Sequence, residues 1–537
     1  MNPTNVASSA VEQGSSEPGL QESRNSESRN SESRNSESTN EESKSELWVI
    51  LIGLALLYAI AIWVGMRRFV WFDEIFTLDI ARASSLSQLW HLSLKFDSNP
   101  TPVYLLSRLS MAIFGVNPLG LRLPSILEFF AGSLAMFFYM RRKVGTRYAA
   151  VAVLTLWGSG TFFYAIEARP YALIFMCLSF LLLSWDSAIT DRTRTASLWG
   201  VGISNFGLLS AHVFAPLSLF PFLVAECVRF HRRRKPDYPL WAALLLPTVV
   251  MVTYLPLIRN YQKTLIYPHE MQGSFQKAGA FYYYAIDTVV HHSFWIVCAA
   301  AAAVFLSRNM RTKLFSSQGL AEKTMFTLLI LNPLFLNLIL MWRHGSFFDR
   351  YCISSEAAIY MAAIFLLDSR WKRGRWTALL ASVAMVAVMV HHDVWQVLRR
   401  PHPSNVASLA NIRPDLLLVD GSGATFLEMN HHESADFLKR VYYLKDREAA
   451  LLYGHTTYFE DYEAMDEMKP FFHISSAVDS YSSFVREHHE FLLFGSGWIV
   501  PELRADGASL TEITPAGLQS PYLGSEVLYI VKMPPNR

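Results

Sequence analysis

The sequence predicts an α-helical polytopic membrane protein of about eleven transmembrane helices with a small C-terminal α/β domain. Three observations predict it. Of the 537 residues, 52% are hydrophobic and only 17% charged, where a soluble domain carries about 25% charge. Long apolar runs recur between residues 47 and 390, and every second connection between them is basic. Beyond residue 390 the pattern changes to short β-like runs.

The first 46 residues contain ESRNS three times in succession and almost no apolar side chain. With nothing to bury, this segment is expected to be a disordered cytoplasmic tail. Leu47 to Met66 follows as an unbroken apolar run, long enough for a hydrocarbon core of about 30 Å. It follows an acidic tail and lacks a small-residue cleavage site, so it reads as a retained helix and not a signal peptide.

The next apolar runs lie near Pro124 to Met140, Tyr148 to Tyr164, Tyr171 to Trp185, Ala196 to Ser210 and Val213 to Val228. Five more lie near Leu240 to Leu257, Ser293 to Leu306, Thr324 to Trp342, Cys352 to Leu367 and Thr377 to Val390. Lys and Arg resist translocation, so basic connections mark the cytoplasmic side. With the tail inside, residues 141–147, 191–194, 229–235, 307–313 and 369–375 all fall inside and all are basic. Arg67 and Arg68 are a local conflict that these five loops outweigh. The expected organisation is a tail over 1–46, a membrane region over 47–390 with an outer loop at 67–123, and an extracytoplasmic α/β domain over 391–537.

Charge follows this division. The tail holds 4 basic and 9 acidic residues and the C-terminal part 12 and 20, leaving 31 and 16 in the membrane region; the net charge of +2 is thus −5, +15 and −8. No basic patch with interleaved aromatics stands outside the membrane region, so nucleic acid is not an expected partner. Cys177, Cys227, Cys298 and Cys352 lie in or beside apolar runs and imply no disulfide framework.

Acidic residues of the membrane region collect on its outer side: Asp73, Glu74, Asp79, Asp97, Glu167, Glu270, Asp287 and Asp349. A proton-coupled transporter would more often place carboxylates at mid-membrane on broken or repeated helices. A transporter or flippase of a lipid-linked sugar is therefore kept as the alternative to an enzyme acting at the outer face.

Several residues have both a chemical and an architectural reading. Asp73 and Glu74 in WFDE could divide the tasks of base and orienting group, since neighbouring carboxylates separate in pKa, or could cap a helix. Asp97, before Asn99-Pro100-Thr101-Pro102, could contact substrate or metal or cap the amphipathic helix that follows. Arg122 in LRLPS, Arg169 in IEARPYAL and Arg350 in FFDRY could anchor helices or grip phosphate in a planar fork. Glu167 could pair with Arg169. His212 in AHVF lacks a nearby metal-ligand partner, and Tyr351 sits at the interface beside Arg350.

The ordered series WFDE, DSNPTPVYLLSRL, FG, LRLPS, IEARPYAL, AHVF and DRY resembles the GT-C glycosyltransferases across roughly residues 47 to 370. The resemblance is to the group of protein O-mannosyltransferases, the lipid A aminoarabinose transferase and galacturonosyltransferase-like enzymes. It implies a polyprenyl-phosphate sugar donor, membrane lipid, and an extracytoplasmic glycolipid, glycan or protein as acceptor, with inversion at the anomeric carbon, at a bacterial inner membrane. It also implies that Asp73 is the general base and that Glu74 orients it or contacts the acceptor. Asp97 would be a substrate or metal contact. Arg169 and Arg350 would hold the lipid phosphate, with Glu167 and Arg122 behind them and His212 and Tyr351 lining the substrate site. The family's second motif usually carries a His and two successive prolines, which this chain lacks; no obligate cofactor is expected, and a divalent metal stays open.

In the C-terminal part, residues 416–421, 491–495 and 527–533 read as strands and 433–444 as helical. GSGATF from Gly421 follows a strand, but Phe426 occupies the place of the third glycine in a dinucleotide fingerprint, which argues against a cofactor there.

Overall fold

The computed structural model describes residues 45–97, 99–190, 194–264, 267, 269–287, 319–370, 375–399, 412–457, 465–495, 497–513 and 527–535. The chain forms two compact units, Met1–Ala55 and Leu56–Arg537. The described part of the first is helical.

Among the described residues, seven helices are long and apolar enough to cross a membrane, which makes this a multi-pass membrane protein. They are α1 (Ser45–Arg67), α5 (Pro118–Val144), α8 (Tyr171–Ile189), the stretch Tyr238–Arg259, α14 (Leu320–Arg343), Asp349–Asp368 and Arg375–His392. The expected run Ser293 to Leu306 lies outside the described residues. Two other expected runs form helices of 18 residues, α9 (Arg194–Ala211) and α10 (Pro216–Arg233). The run expected over Tyr148 to Tyr164 is instead broken into α6 (Thr146–Trp157) and a four-residue α7 (Phe162–Ala165). Gly158 caps α6, and the hydroxyls of Ser159 and Thr161 both donate to the Leu156 carbonyl. Local side-chain bonds thus replace helix continuation.

The remaining helical elements of this region are α2 (Phe72–Ala81), α3 (Leu86–Phe96), α4 (Pro102–Phe114), α11 (Tyr238–Leu245), α12 (Leu255–Thr264), α13 (275–287), α15 (Ile353–Arg370) and α16 (Arg375–Arg399). Their ends follow ordinary chemistry. Pro102 and Pro118 occupy first-turn positions, where a missing N–H costs nothing. Gly115 ends α4 at φ +87°, and the Asn117 side chain accepts from Gly120 N–H to start α5.

Helix α5 is the spine: it packs on α4, α6 and α8, and α8 packs on α9. Gly132 makes the α5–α8 contact possible, because a Cβ there would lie 2.8 Å from Met176 Cα. At the far end of α5, Lys143 bridges Asp186 at 2.7 Å and Glu322 at 3.0 Å, tying α5 to α8 and α14.

The C-terminal region forms a six-stranded sheet of order β3-β2-β1-β4-β6-β5. β1 (Leu418–Asp420), β2 (Val441–Lys445), β3 (Ala477–Ser480) and β4 (Glu490–Phe494) run parallel, while β5 (Ser509–Glu512) and β6 (Leu528–Lys532) are antiparallel additions. Residues 433–444, which read as helical, yield only the short helix Ala435–Leu438 before β2. Val441, Tyr442 and Tyr443 favour a pleated surface, and pairing with β1 buries Val441 and Tyr443.

α18 (Tyr481–Glu487) and α19 (Ile499–Ala505) cover one sheet face through Phe484, Trp498 and Leu503. On the other face, α17 (Gly423–His432) and the Phe472 segment form one continuous core with α2, α3 and α4: Phe76, Leu89, Phe96 and Tyr104 join Phe426, Met429 and Phe472. Helices α2, α3 and α4, between α1 and α5, are therefore built into the C-terminal region's core.

Candidate active site

Asp73 and Glu74 occupy the first turn of α2. Successive helical positions diverge by about 100°, so these carboxylates go to different surroundings. Glu74 is wholly buried against Arg122 of α5, receiving Arg122 Nε at 2.7 Å and Nη2 at 2.5 Å, and accepting Ala168 N–H at 2.9 Å. Burial by itself would raise its pKa, but the Arg122 guanidinium, with Arg68 and the Ala168 amide, holds it below the usual carboxylate range. Arg122 spends its remaining donors on the carbonyls of Gly65, Arg68 and Phe69 at 2.5, 2.6 and 2.7 Å. Those carbonyls belong to the end of α1 and the turn after it, so Arg122 joins α1, α2 and α5 through one buried guanidinium.

Asp73 faces the other way. Its Oδ2 accepts from Arg350 Nη1 at 2.7 Å and lies 4.0 Å from Arg169 Nε. Arg169 Nη1 also donates to the Asp73 carbonyl at 3.0 Å. Arg169 makes its main pair with Asp97, at 2.7 and 3.2 Å, and not with Glu167. Asn99 Nδ2 donates to Asp97 Oδ1 at 3.1 Å. The structure thus brings together four residues separated by up to 277 positions: Asp73, Asp97, Arg169 and Arg350. Among the described residues, the Nε atoms of Arg169 and Arg350 are buried without a hydrogen-bond partner. Buried N–H donors of this kind are suited to binding an anion.

An aromatic wall surrounds Arg350. Its guanidinium carbon lies 4.7 Å from the Phe348 ring centre and 5.8 Å from that of Tyr171. Tyr351 packs on His212 at 5.0 Å and Phe214 at 5.2 Å between ring centres. His212 Nδ1 accepts from Phe214 N–H at 3.2 Å, so the neutral ring carries its proton on Nε2. Burial, then the charges of Arg169 and Arg350, push its pKa down to about 3, so the ring is neutral at physiological pH.

Glu167, 5% exposed, has its pKa pushed up to about 7 by burial, which the nearby Arg68 and Arg350 only partly oppose. Its folded form therefore binds a proton that the unfolded chain releases near pH 4.3, and its contribution to stability falls as pH rises from about 4.5 to 7. His212 acts in the opposite sense, contributing stability above its unfolded pKa of about 6.5 that is lost as pH falls toward about 3. Glu167→Gln should therefore raise Tm by about a few degrees at pH 8 and by less at pH 5. Equal shifts at the two pH values would refute a protonated Glu167.

Sequence reasoning did not find the groups that the C-terminal region contributes here. Glu428 Oε1 accepts from Phe72 N–H at 2.8 Å, His432 Nε2 lies 2.7 Å from the Val70 carbonyl, and His473 Nδ1 lies 2.7 Å from Asp79 Oδ1. These contacts span more than 350 positions and leave no local signal. Among the described residues, no group of three or more His, Cys, Asp or Glu side chains is placed to hold a metal ion.

Residues 98–256 match the family model of the dolichyl-phosphate-mannose-protein mannosyltransferases. The matched segment includes Arg122, Glu167, Arg169 and His212. No curated protein matches the chain. Among solved structures it is similar to ArnT from Cupriavidus metallidurans bound to undecaprenyl phosphate, with a TM-score of 0.41 and 14% identity over 90% of this chain and 98% of that one. The apo state of the same protein gives a TM-score of 0.41 and 15% identity over 90% and 97%.

Proposed function

We propose that this protein is a GT-C-type glycosyltransferase that transfers a sugar from a polyprenyl-phosphate donor to a hydroxyl of an extracytoplasmic glycolipid, glycan or protein, with inversion. The observation that carries the reading is Asp73 set against Arg350 and Arg169, whose Nε donors are buried and unused among the described residues. A base beside two unfilled guanidinium donors suits displacement of a phosphate by an alcohol.

In this reading the donor phosphate enters beside Arg350 and competes with Asp73 for its fork. Asp73 Oδ2 is then released to accept the proton of the acceptor hydroxyl. The acceptor oxygen forms its bond to the anomeric carbon as the bond from that carbon to the phosphate oxygen breaks. The electron pair leaves with the lipid phosphate, whose growing charge Arg350 and Arg169 stabilise. Asp97 holds Arg169 in place by its bidentate pair, and the neutral His212, with Tyr351, lines the wall beside Arg350. The proposed placement is the bacterial inner membrane, with the N-terminus cytoplasmic and the C-terminal region outside.

The test is transfer of radiolabel from polyprenyl-phosphate sugars to endogenous envelope acceptors in membranes with and without the protein. Protein-dependent covalent incorporation supports the reading. Movement of labelled lipid across the membrane without covalent transfer would overturn it in favour of a flippase. Arg350→Ala is expected to lower kcat about 10²–10³-fold, as loss of a donor to developing charge does elsewhere. Arg350→Lys, which keeps charge without the fork, should restore only part of the rate. Full activity of the alanine variant would remove Arg350 from the phosphate site.

A further inference from the structure

We infer that Glu428, far away in sequence, is the positioning residue for the peptide that carries Asp73; this rests on the proposed function for its catalytic meaning. Helix α2 opens without a cap of its own. Trp71 stands at the N-cap with extended backbone and makes no side-chain capping bond, whereas an N-cap is ordinarily Ser, Thr, Asp or Asn. Glu74 and Ile75 N–H reach back to the Trp71 carbonyl at 2.9 and 3.0 Å. The Phe72 amide, one residue before Asp73, is satisfied by Glu428 Oε1 at 2.8 Å. A buried carboxylate, 4% exposed, thus does the work of a cap from another region and also meets the positive end of the helix dipole.

A second contact turns the cap into a clamp. His432 lies one helical turn beyond Glu428 on α17, on the same face, and its Nε2 is 2.7 Å from the Val70 carbonyl. A carbonyl only accepts, so Nε2 carries the hydrogen. Residues 70–72 are held at both ends, a carboxylate taking the Phe72 amide and an imidazole giving to Val70. At the other end of α2, His473 meets Asp79, and Phe472 packs edge-on against Phe76 with ring centres 5.3 Å apart. The C-terminal region therefore fixes where α2 begins and ends, and with it the direction in which Asp73 leaves the helix toward Arg350. A shift of about 1 Å in such a group is enough to cost roughly a hundredfold in rate.

The experiment compares the full-length wild type with Glu428→Ala, Glu428→Gln and Glu428→Asp, by kinetics and by hydrogen exchange of the peptide covering residues 69–76. Gln keeps an acceptor oxygen at the same reach, whereas Asp withdraws the carboxylate by one methylene and serves where the alanine variant does not accumulate. Expected are a fall in kcat of about ten- to a hundredfold for Ala and Asp with donor KM within about twofold, and rescue by Gln. Amide exchange at residues 70–73 should be about tenfold faster in Ala and Asp and near wild type in Gln. Unchanged exchange in both Ala and Asp overturns the clamp, whatever the protein's activity. Faster exchange with wild-type kcat overturns the positioning role alone. The underlying transferase reading fails separately, through absence of protein-dependent transfer by the wild type.

Discussion

Asp73→Asn should lower kcat by about 10²–10⁴-fold, the usual cost of removing a positioned general base, while the donor's KM stays the same or falls. The asparagine is nearly isosteric, and its amide oxygen can still accept from Arg350 Nη1, so the arrangement recorded at 2.7 Å in the wild type is expected to survive. What disappears is the ability to accept a proton from the acceptor hydroxyl. The variant also removes a negative charge beside Arg350 and Arg169, and that charge opposes an incoming phosphate, so donor binding should not suffer. A fall in kcat without a rise in KM marks an interaction made in the transition state only. A rise in KM with kcat preserved would make Asp73 a binding residue, and a variant keeping more than about a tenth of the wild-type kcat would remove it as the base.

The helical part of the fold was largely legible because a bilayer imposes length and polarity on a span. The failures have physical causes. Over residues 148–164 the apolar composition suits a span, but Gly158 and the hydroxyls of Ser159 and Thr161 stop the helix at Trp157. Residues 441–445 carry a helix-compatible pattern that parallel pairing with β1 overrides. A tertiary partner decides such a segment, and that partner is not written locally.

The four charged residues that meet here, Asp73, Asp97, Arg169 and Arg350, each stood out in the sequence, since charge at the end of a span needs a reason. Their pairings did not. Glu167 and Arg169, two positions apart, suggest a local pair, yet Arg169 turns to Asp97 from the loop before α4. Arg350 and Asp73 lie 277 positions apart, and only the packed helices bring them together. Glu428, His432 and His473 carried no signal because their partners are two backbone groups and one carboxylate of a distant loop.

Glu74 provides the second large effect, and it separates two roles for adjacent carboxylates. Read from sequence, Glu74 would orient the base or touch the acceptor; its surroundings instead predict a strut. Glu74 and Arg122 are both 0% exposed, and breaking one side of a buried pair costs about 3–5 kcal/mol because the other charge is left uncompensated. Glu74→Gln should therefore lower the thermal unfolding temperature in detergent sharply, while the protein that remains folded keeps its kcat. Arg122→Met should be worse, since it also abandons the carbonyls of Gly65, Arg68 and Phe69 at about 1–3 kcal/mol for each left unsatisfied. The double variant Glu74→Met/Arg122→Met should recover part of the loss, having no buried charge, but not the part owed to those carbonyls. The pH dependence has a definite sign. Glu74's pKa is lowered in the folded state, so its contribution is present above the unfolded value of about 4.3 and is lost as pH falls through the folded one; Glu74→Gln should flatten the acid limb of stability. A Glu74→Gln protein with wild-type unfolding temperature and no transfer would return Glu74 to the chemistry, and the two carboxylates of WFDE would then share one task.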